Sequence, residues 1–305
     1  MNKNKQKWGI LFALLPLFAP AQTLTDGIFM PKNNFCGGIM LMQDQFTNYW
    51  EGTTKRDNLN IGTMTTQAVA VMGNYGIIDR LNVIVMAPYV STKASAGVML
   101  GFSGLQDLTV ALKYKVLRFN DLAVNAELGG SVPMSNYLAA HPFAIGTQSK
   151  QLFGRAMVHY LNDAGITATA FSTYTLRSNI KIDATNYYTD KNVNSNEVAV
   201  PNVVQVGGRA GFYSYRFDLE ATFDYSAATS GYDIRRNDMP FPAANRQVAT
   251  RVGATAAYRI AALNDLQIGI SAAYTVQGSN VGEALSLGAS AVMAFDFNKK
   301  EATTK

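Results

Sequence analysis

The sequence predicts an all-β chain that closes into an antiparallel transmembrane β-barrel of about twelve strands. Three observations carry this. Apolar and polar residues alternate with period two in segment after segment, the connections alternate between short and long, and the apolar faces carry Tyr or Phe near both ends. Alternate side chains of a strand point to opposite faces, so period two means one oily and one wet face. Short turns at one end and long loops at the other are the layout of an outer-membrane barrel. Hydrocarbon also forbids an open sheet edge, whose unpaired backbone groups would each cost several kcal/mol.

Composition narrows the alternatives. The 305 residues are 48% hydrophobic but only 15% charged, whereas soluble domains average about 25% charge. No apolar run reaches the roughly 18 residues of a membrane helix, which excludes a helical bundle. An aromatic content of 11% excludes disorder. Cys36 is the sole cysteine, so there is no disulfide framework and no multi-cysteine metal site. His141 and His159 leave little for zinc or histidine-based catalysis. Phosphate-cradling glycine loops and calcium-loop spacings are missing. The chain therefore reads as a non-enzyme with no cofactor, no metal and no nucleic-acid partner. The formal charge of +5 drops to +2 once Lys3, Lys5 and Lys7 leave with a leader.

That leader is residues 1–21. Three lysines precede the apolar stretch Trp8–Ala19, and Ala19-Pro20-Ala21 is a small-x-small cleavage site. Residues 22–35 form an N-terminal periplasmic segment or a plug. The barrel spans 36–297, followed by a polar tail, 298–305. Its strands lie near 38–50, 62–77, 81–91, 106–118, 122–133, 150–161, 165–178, 199–213, 215–228, 246–260, 266–278 and 283–297. Fourteen strands result if 94–103 or part of 179–198 adds a pair. In 107–118, Leu108, Val110, Leu112, Tyr114 and Val116 oppose Asp107, Thr109, Ala111, Lys113 and Lys115. In 215–226, Tyr215, Phe217, Leu219, Ala221, Phe223 and Tyr225 oppose Arg216, Asp218, Glu220, Thr222, Asp224 and Ser226. Tyr75, Tyr114, Tyr160, Tyr215, Tyr258 and Phe295 lie near the short turns. Tyr49, Tyr89, Tyr174, Tyr225 and Tyr274 lie near the long loops. Two aromatic zones about 25 Å apart match the two headgroup regions of a bilayer.

Residues 101–117 read Gly-Phe-Ser-Gly-Leu-Gln-Asp-Leu-Thr-Val-Ala-Leu-Lys-Tyr-Lys-Val-Leu, preceded by Met86-Ala87-Pro88-Tyr89-Val90. A glycine-rich loop, an Asp, and an alternating strand ending in Lys-Tyr resemble a family of bacterial outer-membrane barrels labelled as meta-pathway phenol-degradation proteins. The family usually has Gly-Asp where this chain has Gln106-Asp107. The resemblance implies a channel for aromatic or other hydrophobic compounds, by kinship with long-chain fatty-acid transporters.

The inward faces split by chemistry. Early strands turn Met40, Met42, Phe46, Met64, Met72, Ile84 and Met86 inward, with Phe153, Met157 and Phe171 added later. Such a patch suits apolar ligands or a packed plug, since methionine adapts to varied surfaces. Later strands turn ions inward: Lys113, Lys115, Glu127, Arg155, Arg177, Arg209, Arg216, Asp218, Glu220, Asp224, Arg251 and Arg259. These need partners or water, as a structural lattice or a charge-selective constriction. Loop 92–105 carries Val98, Met99, Leu100 and Phe102, read as a hydrophobic gate that folds inward or lies at the barrel mouth; the competing reading is that 94–103 extends the neighbouring strands above the membrane. Loop 179–198 reads as a solvated surface loop. The leading expectation is passive outer-membrane passage of small hydrophobic compounds in a Gram-negative-type cell, with membrane lipid and a small hydrophobic ligand as partners. A hydrophilic-solute porin and a structural or adhesive barrel that binds through its long loops are the alternatives.

Overall fold

The computed structural model describes residues 24–235 and 239–298. The expected leader, 1–21, and residues 299–305 of the tail lie outside the described residues. Twelve long strands follow the alternating segments: β1 (Asn34–Phe46), β2 (Met64–Ile78), β3 (Leu81–Ala94), β4 (Asp107–Phe119), β5 (Leu122–Pro133) and β6 (Gln151–Leu161) make the first half. The second half is β7 (Ile166–Arg177), β8 (Val203–Tyr213), β9 (Phe217–Ala228), β10 (Val248–Ile260), β11 (Leu266–Ser279) and β12 (Leu285–Asp296). Each pairs antiparallel with the next. β12 returns to β1, from Asn34↔Asp296 to Gln45↔Leu285, and closes the cylinder.

The two segments that might have raised the count to fourteen do not enter the wall as full strands. Ser103–Leu105 only lies along the outer end of β3. The connection after β7 folds into two small ladders of its own, Ile180–Lys181 with Glu197–Val198 and Tyr187–Tyr188 with Asn192–Val193. Strand β1 also starts at Asn34, two residues before the expected boundary of 36.

Turn chemistry explains the short end. Asn120 has φ 48°, Asn264 and Asp265 have φ 56° and 58°, and Gly165 has φ 85°. Asn, Asp and Gly tolerate this left-handed region best, which lets strands reverse in a few residues.

The faces segregate as period two requires. On β5, Ala123, Asn125, Glu127, Gly129 and Ser131 are buried inside, while Leu122, Ala126, Leu128 and Val132 are exposed outside. The outer belt includes Val71, Leu128, Val252 and Ile270. Exposed Tyr114, Phe217, Tyr258 and Phe295 ring one end, and Tyr89, Tyr174, Tyr225 and Tyr274 ring the other. An apolar band between aromatic girdles is the exterior that lipid selects. The long-loop end is then the outer one, and both described chain ends lie at the inner one.

This geometry sets a contrast between faces. Ile270, 64% exposed near the middle of β11, should destabilise the barrel by about 2–4 kcal/mol when changed to Arg. Thr222→Arg, on the wet face of β9, should cost clearly less. Urea titration of folding into vesicles measures both, and equal costs would contradict the assignment of faces.

Candidate functional site

Residues 24–33 enter the barrel from the short-turn end. Lys32 N donates to Asp79 Oδ1 (2.9 Å) in the β2–β3 turn, and Asn33 N donates to Gly76 O (2.8 Å). From there the chain climbs the lumen towards Leu24. Met30 is fully buried and packs with Cys36 and Val292. Gly27 lies against His159 so closely that a Cβ there would sit 2.0 Å from the imidazole Cγ. The His159 ring is itself held, its Nδ1 2.9 Å from Thr169 Oγ1.

The contact wall is ionic. Lys113 on β4, Glu127 on β5 and Arg155 on β6 are cross-strand neighbours in one row. Lys113 Nζ meets Asp26 Oδ1 at 3.0 Å and also donates to Ile28 O at 3.1 Å. Arg155 Nη1 meets Glu127 Oε1 at 2.9 Å, its Nε donates to Thr173 Oγ1 at 2.7 Å, and it also donates to Leu24 O. Phe153 and Phe171 cover the guanidinium, at 5.7 and 5.3 Å. Lys113 and Lys115 both approach the Phe29 ring, at 5.3 and 4.6 Å. Buried ions persist only where partners replace water. Here the N-terminal segment supplies a carboxylate, two carbonyls and a ring.

The remaining sequence-singled residues divide between packing and open space. Met72, Ile84, Phe153, Met157 and Phe171 are buried. Met40 and Met42 line a cavity of about 180 Å³ with Arg209, Asp218 and Glu220. Met86 and Phe153 line one of about 260 Å³ beside Leu24. A third, of about 360 Å³, lies between Thr25 and Arg209, Asp224 and Arg251. Phe46 packs under Gly282, and Met64 begins β2 at the outer end. Around the free wall, Arg209 pairs with Glu220 (3.4 Å), Gln267 donates to Asp218 (2.8 Å), Gln205 donates to Asp224, and Arg259 lies over Tyr215 (5.3 Å). Arg177 ends β7 at the outer rim. Arg216 departs from the expectation: it precedes β9 in a short turn and is exposed there, with its carbonyl accepting from Arg259 N (2.7 Å).

Of the two placements expected for the gate loop, inward or at the barrel mouth, the inward one is not taken. Val98 and Leu100 are 96% and 79% exposed, and Met99 is exposed too, so they do not fold inward. Backbone bonds explain this: Ser95 N to Thr63 O and Ala96 N to Ile61 O tie the loop to the preceding connection. Phe102 alone turns towards the mouth, edge-on to His141 at 4.8 Å. The inward-reaching loop is 134–150. Its Phe143 and Ile145 are buried, and Thr92 Oγ1 at the outer end of β3 donates to Phe143 O (2.7 Å). The signal was present as an apolar run, Pro142-Phe143-Ala144-Ile145, between His141 and Gly146.

Comparison with known proteins adds the following. A family model described as "Putative MetA-pathway of phenol degradation" matches residues 51–298. Among solved structures, the chain is similar to an outer membrane channel from Pseudomonas putida F1. The TM-score is 0.68 and the identity 15%, covering 91% of this chain and 100% of that one. It is more distantly similar to the NanC porin (TM-score 0.47, identity 10%, covering 83% and 98%). A deletion mutant of the TodX monoaromatic hydrocarbon channel gives TM-score 0.46 and identity 10%, covering 88% and 91%. No curated protein matches significantly.

Two substitutions test the seat of the N-terminal segment. Gly27→Leu should push the segment off His159 by steric overlap. Lys113→Met leaves Asp26 facing a dry wall, a loss of about 3–5 kcal/mol for a buried pair broken from one side. Hydrogen exchange of residues 24–30 should accelerate in both variants; unchanged protection would show that the segment is held otherwise.

Proposed function

The chain belongs to the family of the phenol-degradation MetA pathway, and from that premise we propose that it is an outer-membrane channel for passive uptake of small hydrophobic, including aromatic, compounds. The observation that carries this is the half-filled lumen. A short segment covers the β4–β7 wall and leaves separate cavities of about 180, 260 and 360 Å³ beside it. A void of about 150 Å³ holds benzene, so each of these spaces admits a single ring. The cavity beside Leu24 has Met86, Pro88 and Phe153 in its lining, and the one across the lumen has Met40 and Met42. A ligand that leaves water against such side chains gains about 25 cal/mol per Å² of apolar surface buried.

In this reading the segment expected over 22–35, described from residue 24 to the start of β1, acts as a plug that narrows the passage. The ligand enters from the loop end, passes the Met and Phe side chains, and leaves past the segment at the periplasmic end. The gradient supplies the driving force. Lipid covers the outer belt throughout.

A specific observation also favours a polar-solute pore: the wall opposite the segment carries Arg209, Glu220, Asp224 and Arg251 next to open volume. Planar-bilayer recording separates the two. The hydrophobic-channel reading expects small, flickering currents from the full chain and a several-fold rise when residues 22–30 are deleted. It also expects liposomes containing the full chain to take up toluene or phenol faster than empty ones. Large steady currents from the full chain, without faster aromatic uptake, would transfer the case to the pore.

A further inference from the structure

One sizeable cavity lies outside the barrel wall and outside the lumen, among the outer loops. Three outer loops fold together over the mouth: 134–150 after β5, 178–202 after β7, and the described parts of the loop after β9, 229–235 and 239–247. They share a small core in which Val198 is fully buried and Ile180, Val200, Ala243 and Ala244 are nearly so. Backbone bonds join them: Phe241 N to Tyr188 O (2.8 Å), Thr229 N to Asn202 O (2.8 Å), and Ser178 N to Lys150 O (2.9 Å). This is a folded cap rather than the solvated loop that residues 179–198 were expected to be.

Between the loops the cap leaves a space of about 550 Å³. Rings from all three loops wall it: Tyr137, Tyr187 and Phe241. They are fixed in place. The Tyr137 hydroxyl donates to Asp107 Oδ1 (2.6 Å) and accepts from Gln148 N (3.1 Å). Burial and that bond to Asp107 push its pKa up, so it stays a neutral phenol. Tyr187 and Phe241 meet edge to face, with centroids 6.0 Å apart. Pro142, Pro240 and Pro242 stiffen the backbone around them. At one side Lys181 and Asp183 bring charge of both signs to the lining.

We infer that this cap cavity is a binding site, separate from the lumen, for a planar aromatic molecule of two or three rings bearing a hydrogen-bonding substituent. The size argues against a single ring, because the space is more than three times the roughly 150 Å³ that holds benzene. It falls within the about 300–1,000 Å³ of small-molecule sites. The chemistry argues for a flat apolar body, since aromatic rings pack offset or edge-on against other rings. The Lys181 and Asp183 side receives the polar substituent. Pre-set walls mean that little ordering is left to offset binding. The inference stands whether or not the barrel conducts hydrophobic compounds.

The test uses the full chain in detergent and 2-naphthol as the probe. Calorimetric titration should show one saturable site per chain. Ala184→Trp, which fills the cavity, and Phe241→Ala, which removes a wall, should each weaken it at least tenfold. Met42→Trp, in the lumen, should leave it intact, and comparison between variants cancels uptake of 2-naphthol by the micelle. In the unmodified chain the probe should slow hydrogen exchange in 134–148, 180–188 and 239–242. Unsaturable heat that is the same in all variants, or protection confined to the lumen strands, would overturn the inference. Liposome uptake is read separately: binding at the cap without uptake would refute the channel and leave this site standing, and uptake without cap binding would do the reverse.

Discussion

Everything in this molecule depends on one constraint: no backbone amide or carbonyl of the wall can be left unpaired in hydrocarbon. The twelve strands meet it by pairing each with its neighbours and sealing β12 against β1. Once the cylinder is sealed, every strand residue is assigned to lipid or to lumen by parity alone. The outside can then be uniformly apolar, while the inside is free to carry whatever the molecule's task requires. Lys113, Glu127 and Arg155 can sit within one row of the wall because their side chains never face the acyl chains.

That interior is an economy of partners. A row of ions on β4–β6 would be costly if dry and unpaired. The N-terminal segment meets it with Asp26 and with the carbonyls of Leu24 and Ile28. The opposite wall takes another route, with Arg209 and Glu220 satisfying each other across β8 and β9. One half of the lumen is therefore completed by the N-terminal segment and the other by itself. The asymmetry leaves open volume around the segment.

How far the sequence reveals this follows from what kind of signal each feature leaves. Strands such as Leu122–Pro133 were legible to the residue, because a long period-two pattern bounded by turn residues has no competing reading. The wall charges were legible from the same parity, apart from Arg216, which lies exposed in the turn before β9. The partnership of Lys113 with Asp26 was not, since 87 residues separate them and nothing local marks the contact. The cap was hidden for a related reason: its ladders are two residues long, too short to show a period. The loops could also be ranked only by apolar content. That pointed to Val98–Leu100, whereas tertiary bonds sent Phe143 and Ile145 inward instead.

The sealing pair has a consequence for how the chain becomes a barrel at all. Asn34 and Asp296 are register partners, and the Asn33 and Asn298 side chains bond beside them (3.2 Å). The first strand must therefore wait, one edge bare, until the last has been delivered. Contacts so distant along the chain are slow to form, and bare edges invite pairing with other molecules while they wait. Assembly must be finished as a single late event, and the newly exported polypeptide needs an escort that shields β1 until β12 arrives.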